Sequence, residues 1–302
     1  LGHSSFNSYD VGVSWWSLDH HLGIRHSLLN GSFTGYADLR RYNVIIMPSG
    51  YLEMSNYEVN ALNDWIKQGG TLIAHNRSSR FIATNETLGD VKQLQDVLDK
   101  SIDYNFDLLR EIYALEDNLD QEAALKHIVD LETTYPWELN ETNYSEDELK
   151  NRDKWQSIFM PSGAFVAGRT DQKHWLTFGT PKTLPVLYGN YPVLMTGNNA
   201  EAPIRIGELV ENSDVNEFRT INWSTLPAGK DIKVRMSGLV WPEAAQRIAN
   251  SAYLTREQVG KGQIILFAGE PNFRGSTRGT NRVWLNAIVY GPGLGTSPRI
   301  QL

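Results

Sequence analysis

Residues 43–76 restrict the possible folds more than any other part of the sequence. They consist of an apolar segment, then an amphipathic segment, then a second apolar segment. Asn43-Val-Ile-Ile-Met-Pro48 is short and apolar and ends in a Pro-Ser-Gly turn, as a buried parallel strand does. Ser55 or Asn56 can cap a helix that Gly69-Gly70 ends, and Thr71-Leu-Ile-Ala74 is the next strand. The apolar face of that helix would comprise Val59, Leu62, Trp65 and Ile66. The sequence therefore predicts a strand–helix–strand unit of a parallel α/β sheet.

The residues before this unit predict one more helix and one more strand. Apolar side chains recur at helical spacing through residues 10–22, with Ser8 or Asp10 as the cap and Gly23 as the end. Residues 24–29 then form a predicted strand. Strands that alternate with helices at this spacing favour a parallel sheet.

The second half of the chain is richer in β patterns. A helix is predicted over residues 242–254 and a strand over 263–268, and a closing helix begins at Thr280 or Asn281 and ends at Gly291-Pro292. Short apolar segments that Gly, Pro and Asn interrupt lie at residues 159–166, 175–178, 192–195 and 232–236.

Residues 86–154 differ in charge from the rest of the chain, with 19 Asp and Glu against 7 Lys and Arg. One helix is predicted through Leu94, Leu98, Ile102 and Phe106, and a second through Leu119, Ala123, Ile128 and Leu131. We interpret this segment as a helical insertion whose acidic side is a solvated surface. The predicted organisation is an α/β domain formed by residues 1–85 and 155–302, interrupted by the acidic helical insertion at 86–154.

Composition excludes several classes of function. The formal net charge of −7 argues against nucleic-acid binding, which needs a basic face. No apolar segment approaches the roughly 20 residues needed to cross a bilayer. The chain contains no cysteine, which excludes disulfides, thiolate zinc sites and cysteine catalysis. It opens at Leu1 with what reads as the loop after a strand, so we expect a longer polypeptide with a first strand upstream or removed.

Five segments together resemble the class I glutamine amidotransferase-like domain that follows the catalytic domain in large bacterial zinc carboxypeptidases. They are SFNSYDVGVSWWSLD (residues 5–19), YNVIIMPSG (42–50), DWIKQGGTLIA (64–74), GQIILFAGEPNFRG (262–275) and NRVWLNA (281–287). The matched segments lie at both ends of the chain and leave the acidic middle unmatched. The resemblance implies a flavodoxin-like parallel sheet with helices on both faces, in addition to the helical insertion and the β-rich segment.

The resemblance also implies a parent protein. It predicts a secreted or periplasmic enzyme that cleaves peptides or proteins, with the upstream catalytic domain as the partner of this segment. Zinc is expected only in that upstream domain, because its His-X-X-Glu pair with a later His has no match here. His127-Ile-Val-Asp130 is the nearest approach, and His20 and His21 point to different faces of their helix. We therefore predict no metal and no cofactor in this chain.

Amidotransferases use a cysteine in the turn after a strand, together with a His and a carboxylate that follow a late strand. The matching turn here is His75-Asn-Arg-Ser78, which holds no thiol. In the late segment Phe267-Ala-Gly-Glu-Pro271, Glu270 can stand for the carboxylate, but Ala or Gly occupies the His position. We therefore assign no catalytic residue and exclude glutamine hydrolysis.

A crevice is still expected where the parallel strands end at their carboxyl termini. The candidate residues of this crevice are His75, Asn76, Arg77, Ser78, Glu270, Asn272 and Arg274. One interpretation is an anion pocket, for example for a peptide carboxylate, since Arg pairs with carboxylates in a bidentate manner. The simpler interpretation, which we favour, is a salt bridge between Glu270 and one of the two arginines that holds the last loop.

Three functions are compatible with these features. The first is a noncatalytic accessory domain of a zinc carboxypeptidase-like protein. The second is a structural or oligomerisation domain of a carbohydrate-active enzyme such as a beta-galactosidase, some of which contain similar folds. The third, a hydrolase using His75, Ser78 and Glu270, ranks last because no Gly-X-Ser-X-Gly turn presents Ser78.

Overall fold

The computed structural model describes residues 1–2, 5–30, 37–115, 146–214 and 218–294. The helices are α1 (Ser8–Trp16), α2 (Asn56–Lys67), α3 (Arg77–Thr84), α4 (Ser101–Leu115), α5 (Glu146–Ser157), α6 (Pro242–Ile248) and α7 (Arg278–Leu294). The first seven strands are β1 (Val44–Met47), β2 (Thr71–His75), β3 (Lys92–Gln93), β4 (Ala164–Thr170), β5 (Thr183–Tyr188), β6 (Leu194–Met195) and β7 (Ala200–Ile206). The remaining strands are β8 (Glu208–Glu211), β9 (Arg219–Ile221), β10 (Ser224–Leu226), β11 (Lys230–Lys233), β12 (Arg235–Ser237), β13 (Ala252–Val259) and β14 (Gly262–Phe267).

The predicted strand–helix–strand unit is present as β1, α2 and β2. Ser55 caps α2 and forms a capping box with Glu58, in which each side chain bonds the backbone of the other residue. The four residues that were predicted to form the apolar face of α2 are all buried. Position 70, after the helix, requires glycine because a Cβ atom there would lie 2.5 Å from the Trp65 ring.

The core of the main sheet is parallel, as predicted. The sheet runs in the order β1-β2-β14-β13-β7-β4-β12, and β1, β2 and β14 are parallel neighbours. Their register places Phe267 beside His75, so β2 and β14 end at the same edge. The strands from β13 onward in this order pair antiparallel and form the β-rich part of the fold. This confirms the α/β class.

Helix α1 begins at a different cap from the one predicted. The side chain of Asn7, not that of Ser8 or Asp10, accepts hydrogen bonds from the first turn. The helix continues into a π-helical turn, Ser17–His21. No strand forms over residues 24–29, where only the first and last residue are partly buried, so the segment lacks a face that a sheet could cover.

Three further predictions in the second half of the chain are wrong. The helix predicted over residues 242–254 ends at Ile248, because Asn250 takes a positive φ of 61° and the chain then turns into β13. Residues 175–178 form a short 3-10 turn, Trp175–Thr177, which His174 caps. Helix α7 extends past Gly291 to Leu294 with Pro292 inside it.

The acidic segment contributes to the same core as the rest of the chain. Its first helix is α4, which begins at Ser101, whereas the residues from Leu94 to Lys100 form 3-10 turns. The buried side of α4 is formed by Asn105, Leu108, Leu109 and Ile112, and Ile102 of the predicted stripe is exposed. The second predicted helix, through Leu119, Ala123, Ile128 and Leu131, lies outside the described residues. Among the helices that are described, none combines the length and the apolar character needed to span a membrane.

Candidate functional site

A strained turn links β2 to α3 at the carboxyl edge of the parallel strands. Asn76 is the single residue between them and has φ 46° and ψ −108°, a conformation that glycine adopts far more readily than other residues. Its N–H donates to the carbonyl of Phe267 at 2.9 Å, and its own carbonyl accepts from the N–H of Arg80 at 2.9 Å. Strain of this kind costs about 1–3 kcal/mol and is retained where the surrounding structure enforces it. The turn therefore presents Asn76 at the point where strand, helix and crevice meet.

Asn76 faces Glu270, the carboxylate that follows β14. Burial and the nearby carboxylate of Asp10 raise the pKa of Glu270 above its usual range. The Asn76 amide, acting as a hydrogen-bond donor, and the more distant His75 and Arg77 oppose this rise. Glu270 and Asn76 are thus brought together, because the parallel strands β2 and β14 end at the same edge of the sheet.

The salt bridge that we expected between Glu270 and an arginine is not present among the described residues. The Arg77 guanidinium instead lies over the ring of Tyr51, 4.0 Å from its centre. The Arg274 guanidinium lies 5.1 Å from the ring centre of Phe273, at a residue with a positive φ of 50°. The side chain that donates a hydrogen bond to Glu270 is therefore the amide of Asn76 and not an arginine.

His75 and Ser78 do not line the crevice, contrary to the prediction. His75 is fully buried, with Nδ1 3.4 Å from Oδ2 of Asp10 and its ring against those of Phe267 and Trp284. Ser78 is also fully buried and donates from Oγ to the carbonyl of Pro48 at 2.5 Å. Both side chains are used to join the end of β2 to its neighbours, which leaves neither available for chemistry.

Asn272 is a structural anchor beside the crevice. Its side chain is buried and its Nδ2 donates to Oγ of Ser17 and, at 3.5 Å, to the carbonyl of Val13. These bonds fasten the loop after β14 to α1. A cavity of about 140 Å³ lies beside them, and its walls include Asp10, Asn272, Glu270 and Arg274.

A larger cavity, of about 640 Å³, is also lined by Asn76. Arg77, Arg80 and Tyr51 line it too, and Tyr191 contributes a phenol whose pKa burial raises. We call this space the arginine cavity. Of its residues only Asn76 and Arg77 were predicted from the sequence. The spacing of Arg77 and Arg80, three residues apart at the start of a helix, is the signal that could have added Arg80.

No grouping of metal ligands accompanies these cavities in the described part of the chain. Clusters of three or more His, Asp or Glu side chains able to hold a metal ion do not occur among those residues. Asn76 meets Glu270 at the crevice, and the charged and phenolic residues that line the arginine cavity are Arg77, Arg80, Glu53, Tyr51, Tyr191 and Arg247, the last of which is paired with Asp153.

The comparisons with known proteins concern the fold. No family model matches the chain, and no curated protein matches its sequence. One similar solved structure is a ThuA-like protein from Bacteroides uniformis, with 11% identity over 94% of this chain and 86% of that chain and a TM-score of 0.44. Two proteins from Salmonella typhimurium, each described as a cytoplasmic protein, are also similar. One has 10% identity over 94% of this chain and 85% of that chain, the other 11% over 96% and 89%, and both have a TM-score of 0.40.

None of these descriptions mentions a carboxypeptidase. The three parallel strands, their helices and the strained turn after β2 form the site. Together they belong to an α/β fold whose parallel strands end at a common edge.

Proposed function

We propose that this chain is a noncatalytic accessory domain with an amidotransferase-like fold, part of a zinc carboxypeptidase-like protein. One observation carries the noncatalytic part. The turn that would present a nucleophile presents Asn76, whose amide is not nucleophilic, and the only hydroxyl and imidazole in that turn are buried in structural contacts. The resemblance of five segments to the domain that follows the catalytic domain in zinc carboxypeptidases supports the parent enzyme.

The noncatalytic role is tested with the purified chain. We expect no release of ammonia from glutamine, no cleavage of peptides and no hydrolysis of p-nitrophenyl esters above the uncatalysed rate. A catalytically competent amidotransferase serves as the positive control. Hydrolysis by this chain that Asn76→Ala or Glu270→Ala abolishes, in variants with an unchanged circular dichroism spectrum, would overturn the proposal.

The accessory role is tested with the intact gene product. We expect the upstream part to contain a His-X-X-Glu pair with a later His, and the purified product to contain about one zinc ion per chain by elemental analysis. An upstream glycosidase domain, together with a trimer in analytical ultracentrifugation, would instead support a structural role in a carbohydrate-active enzyme and would refute the carboxypeptidase link.

A further inference from the structure

We propose that the arginine cavity binds the free C-terminal carboxylate of a peptide, held by Arg77 and Arg80. The inference rests on the proposed noncatalytic role, because a site that retains a peptide must leave it intact. The placement of positive charge supports this assignment. Arg77 and Arg80 are the first and fourth residues of α3, so they project from neighbouring turns of one helix face into the same cavity. Both residues are exposed, and neither forms an ion pair within the described parts of the chain.

The contact of Arg77 with Tyr51 also supports the proposal. The guanidinium carbon lies over the Tyr51 ring, 4.0 Å from its centre, and this cation–π contact restrains the position of the group. An oriented guanidinium is suited to bidentate pairing with a planar carboxylate. No side chain caps the N-terminus of α3, so the positive end of the helix dipole adds to the attraction for an anion beside Arg77.

The balance of charge favours a carboxylate over a phosphate. Glu53 lines the same cavity and Glu270 lies beside Asn76, so a dianionic group would meet more repulsion there than a group with one negative charge. Arg247 also lines the cavity, but it forms an ion pair with Asp153. Among the described residues, the unpaired charges of the wall are therefore those of Arg77, Arg80 and Glu53, and a single carboxylate balances them.

The other lining residues suit the rest of a peptide. Besides the arginines, the residues that line the cavity include the amide-bearing Gln95 and Asn190. Amides pair well with the N–H and C=O groups of a peptide. The volume of about 640 Å³ lies within the range of roughly 300–1,000 Å³ that is usual for small-ligand sites. The cavity therefore offers space and partners for the last few residues of a peptide chain.

The test is calorimetric titration of the whole chain with N-acetylated tripeptides that end in Ala, Phe or Lys. Each is used with a free carboxylate and as the C-terminal amide, and inorganic phosphate is titrated as a separate ligand. We expect at least one free acid to bind about tenfold or more tightly than its amide, which corresponds to the loss of one charged hydrogen-bonded pair. Equal affinity of acids and amides, no binding of any acid at millimolar concentration, or tighter binding of phosphate would overturn the inference.

Variants locate the site. Arg77→Ala and Arg80→Ala should each weaken binding of the acid about tenfold or more, and Arg77→Lys should recover only part of the affinity because it lacks the fork. Arg278→Ala, which removes an exposed arginine that does not line this cavity, is the matched control and should bind as the unaltered chain does. Unchanged binding by both Arg77→Ala and Arg80→Ala would refute the assignment.

Mass spectrometry of the peptides after the titration separates this inference from the proposed function. Cleaved peptide would refute the noncatalytic role. Intact peptide without binding would refute the carboxylate site alone and leave the noncatalytic role in place.

Discussion

Asp10 and His75 form a buried pair that joins α1 to the end of β2, with Oδ2 and Nδ1 3.4 Å apart. The same Asp10 oxygen accepts the N–H of Ser49, in the loop after β1. Asp10 thus connects three segments whose only common location is the carboxyl edge of the parallel strands. His75 is held beneath the crevice by this contact, which explains why an imidazole in the expected turn is not available there.

Removal of the Asp10 carboxylate should destabilise the fold. In Asp10→Ala the buried N–H of Ser49 and the ring of His75 lose their acceptor, and we expect a loss of about 2–4 kcal/mol in the free energy of unfolding. Urea unfolding followed by circular dichroism measures it. Asp19→Ala, an exposed position after the same helix, should change the value by no more than about 0.5 kcal/mol. Equal effects of the two substitutions would show that the buried pair contributes nothing.

The positive φ of Asn76 should make the stability of the turn depend on which residue replaces Asn76. Asn76→Ala keeps the unfavourable φ of 46° and loses the amide that faces Glu270, so it should be destabilising. Asn76→Gly loses the same amide but adopts this backbone without strain, and should therefore be more stable than the alanine variant by about 1 kcal/mol or more. Chemical denaturation of both variants gives the difference directly. An alanine variant as stable as the glycine variant would show that the turn is relaxed.

Glu270 predicts a specific dependence of stability on pH. Because its pKa is raised in the folded state, the folded protein holds this proton more tightly than the unfolded chain does. The resulting stabilisation is complete below the ordinary glutamate pKa of about 4.3 and is lost as the pH rises through the raised value. Glu270→Gln cannot ionise and still offers an oxygen to Asn76. Its stability relative to the unaltered chain should therefore increase from pH 4 to pH 7, and a constant difference over that range would contradict the assignment.

The elements with strong local signals could be predicted from the sequence. The unit from β1 to β2 has its own cap at Ser55 and its own stop at Gly69-Gly70, so little depends on distant residues. The first three residues of β13, Ala252 to Leu254, were predicted as the end of a helix, because a short apolar segment fits either structure and only the positive φ of Asn250 separates them.

In the candidate site, too, some contacts could be predicted from the sequence and others depend on distant residues. The meeting of Asn76 and Glu270 follows from the rule that parallel strands end at one edge, and it could be predicted. The burial of His75 could not, because it depends on Asp10, a residue 65 positions away in the chain. Tyr51 was missed for a related reason, since a tyrosine in a loop becomes part of the site only when Arg77 is known to lie over it.

The close approach of β14 to the end of α2 should make the protein intolerant of any side chain at position 262. A Cβ atom at Gly262 would lie 2.0 Å from the carbonyl oxygen of Ile66 and 2.4 Å from that of Gly70, both of them backbone atoms that cannot move aside freely. Gly262→Ala should therefore cost about 3 kcal/mol or more, or prevent folding. The matched control is Gly12→Ala in α1, an exposed helical position with no atom within 4 Å, where alanine should stabilise the protein by about 0.5–1 kcal/mol. Thermal unfolding of the two variants compares them, and a Gly262→Ala variant as stable as Gly12→Ala would mean that β14 and α2 are not packed this closely.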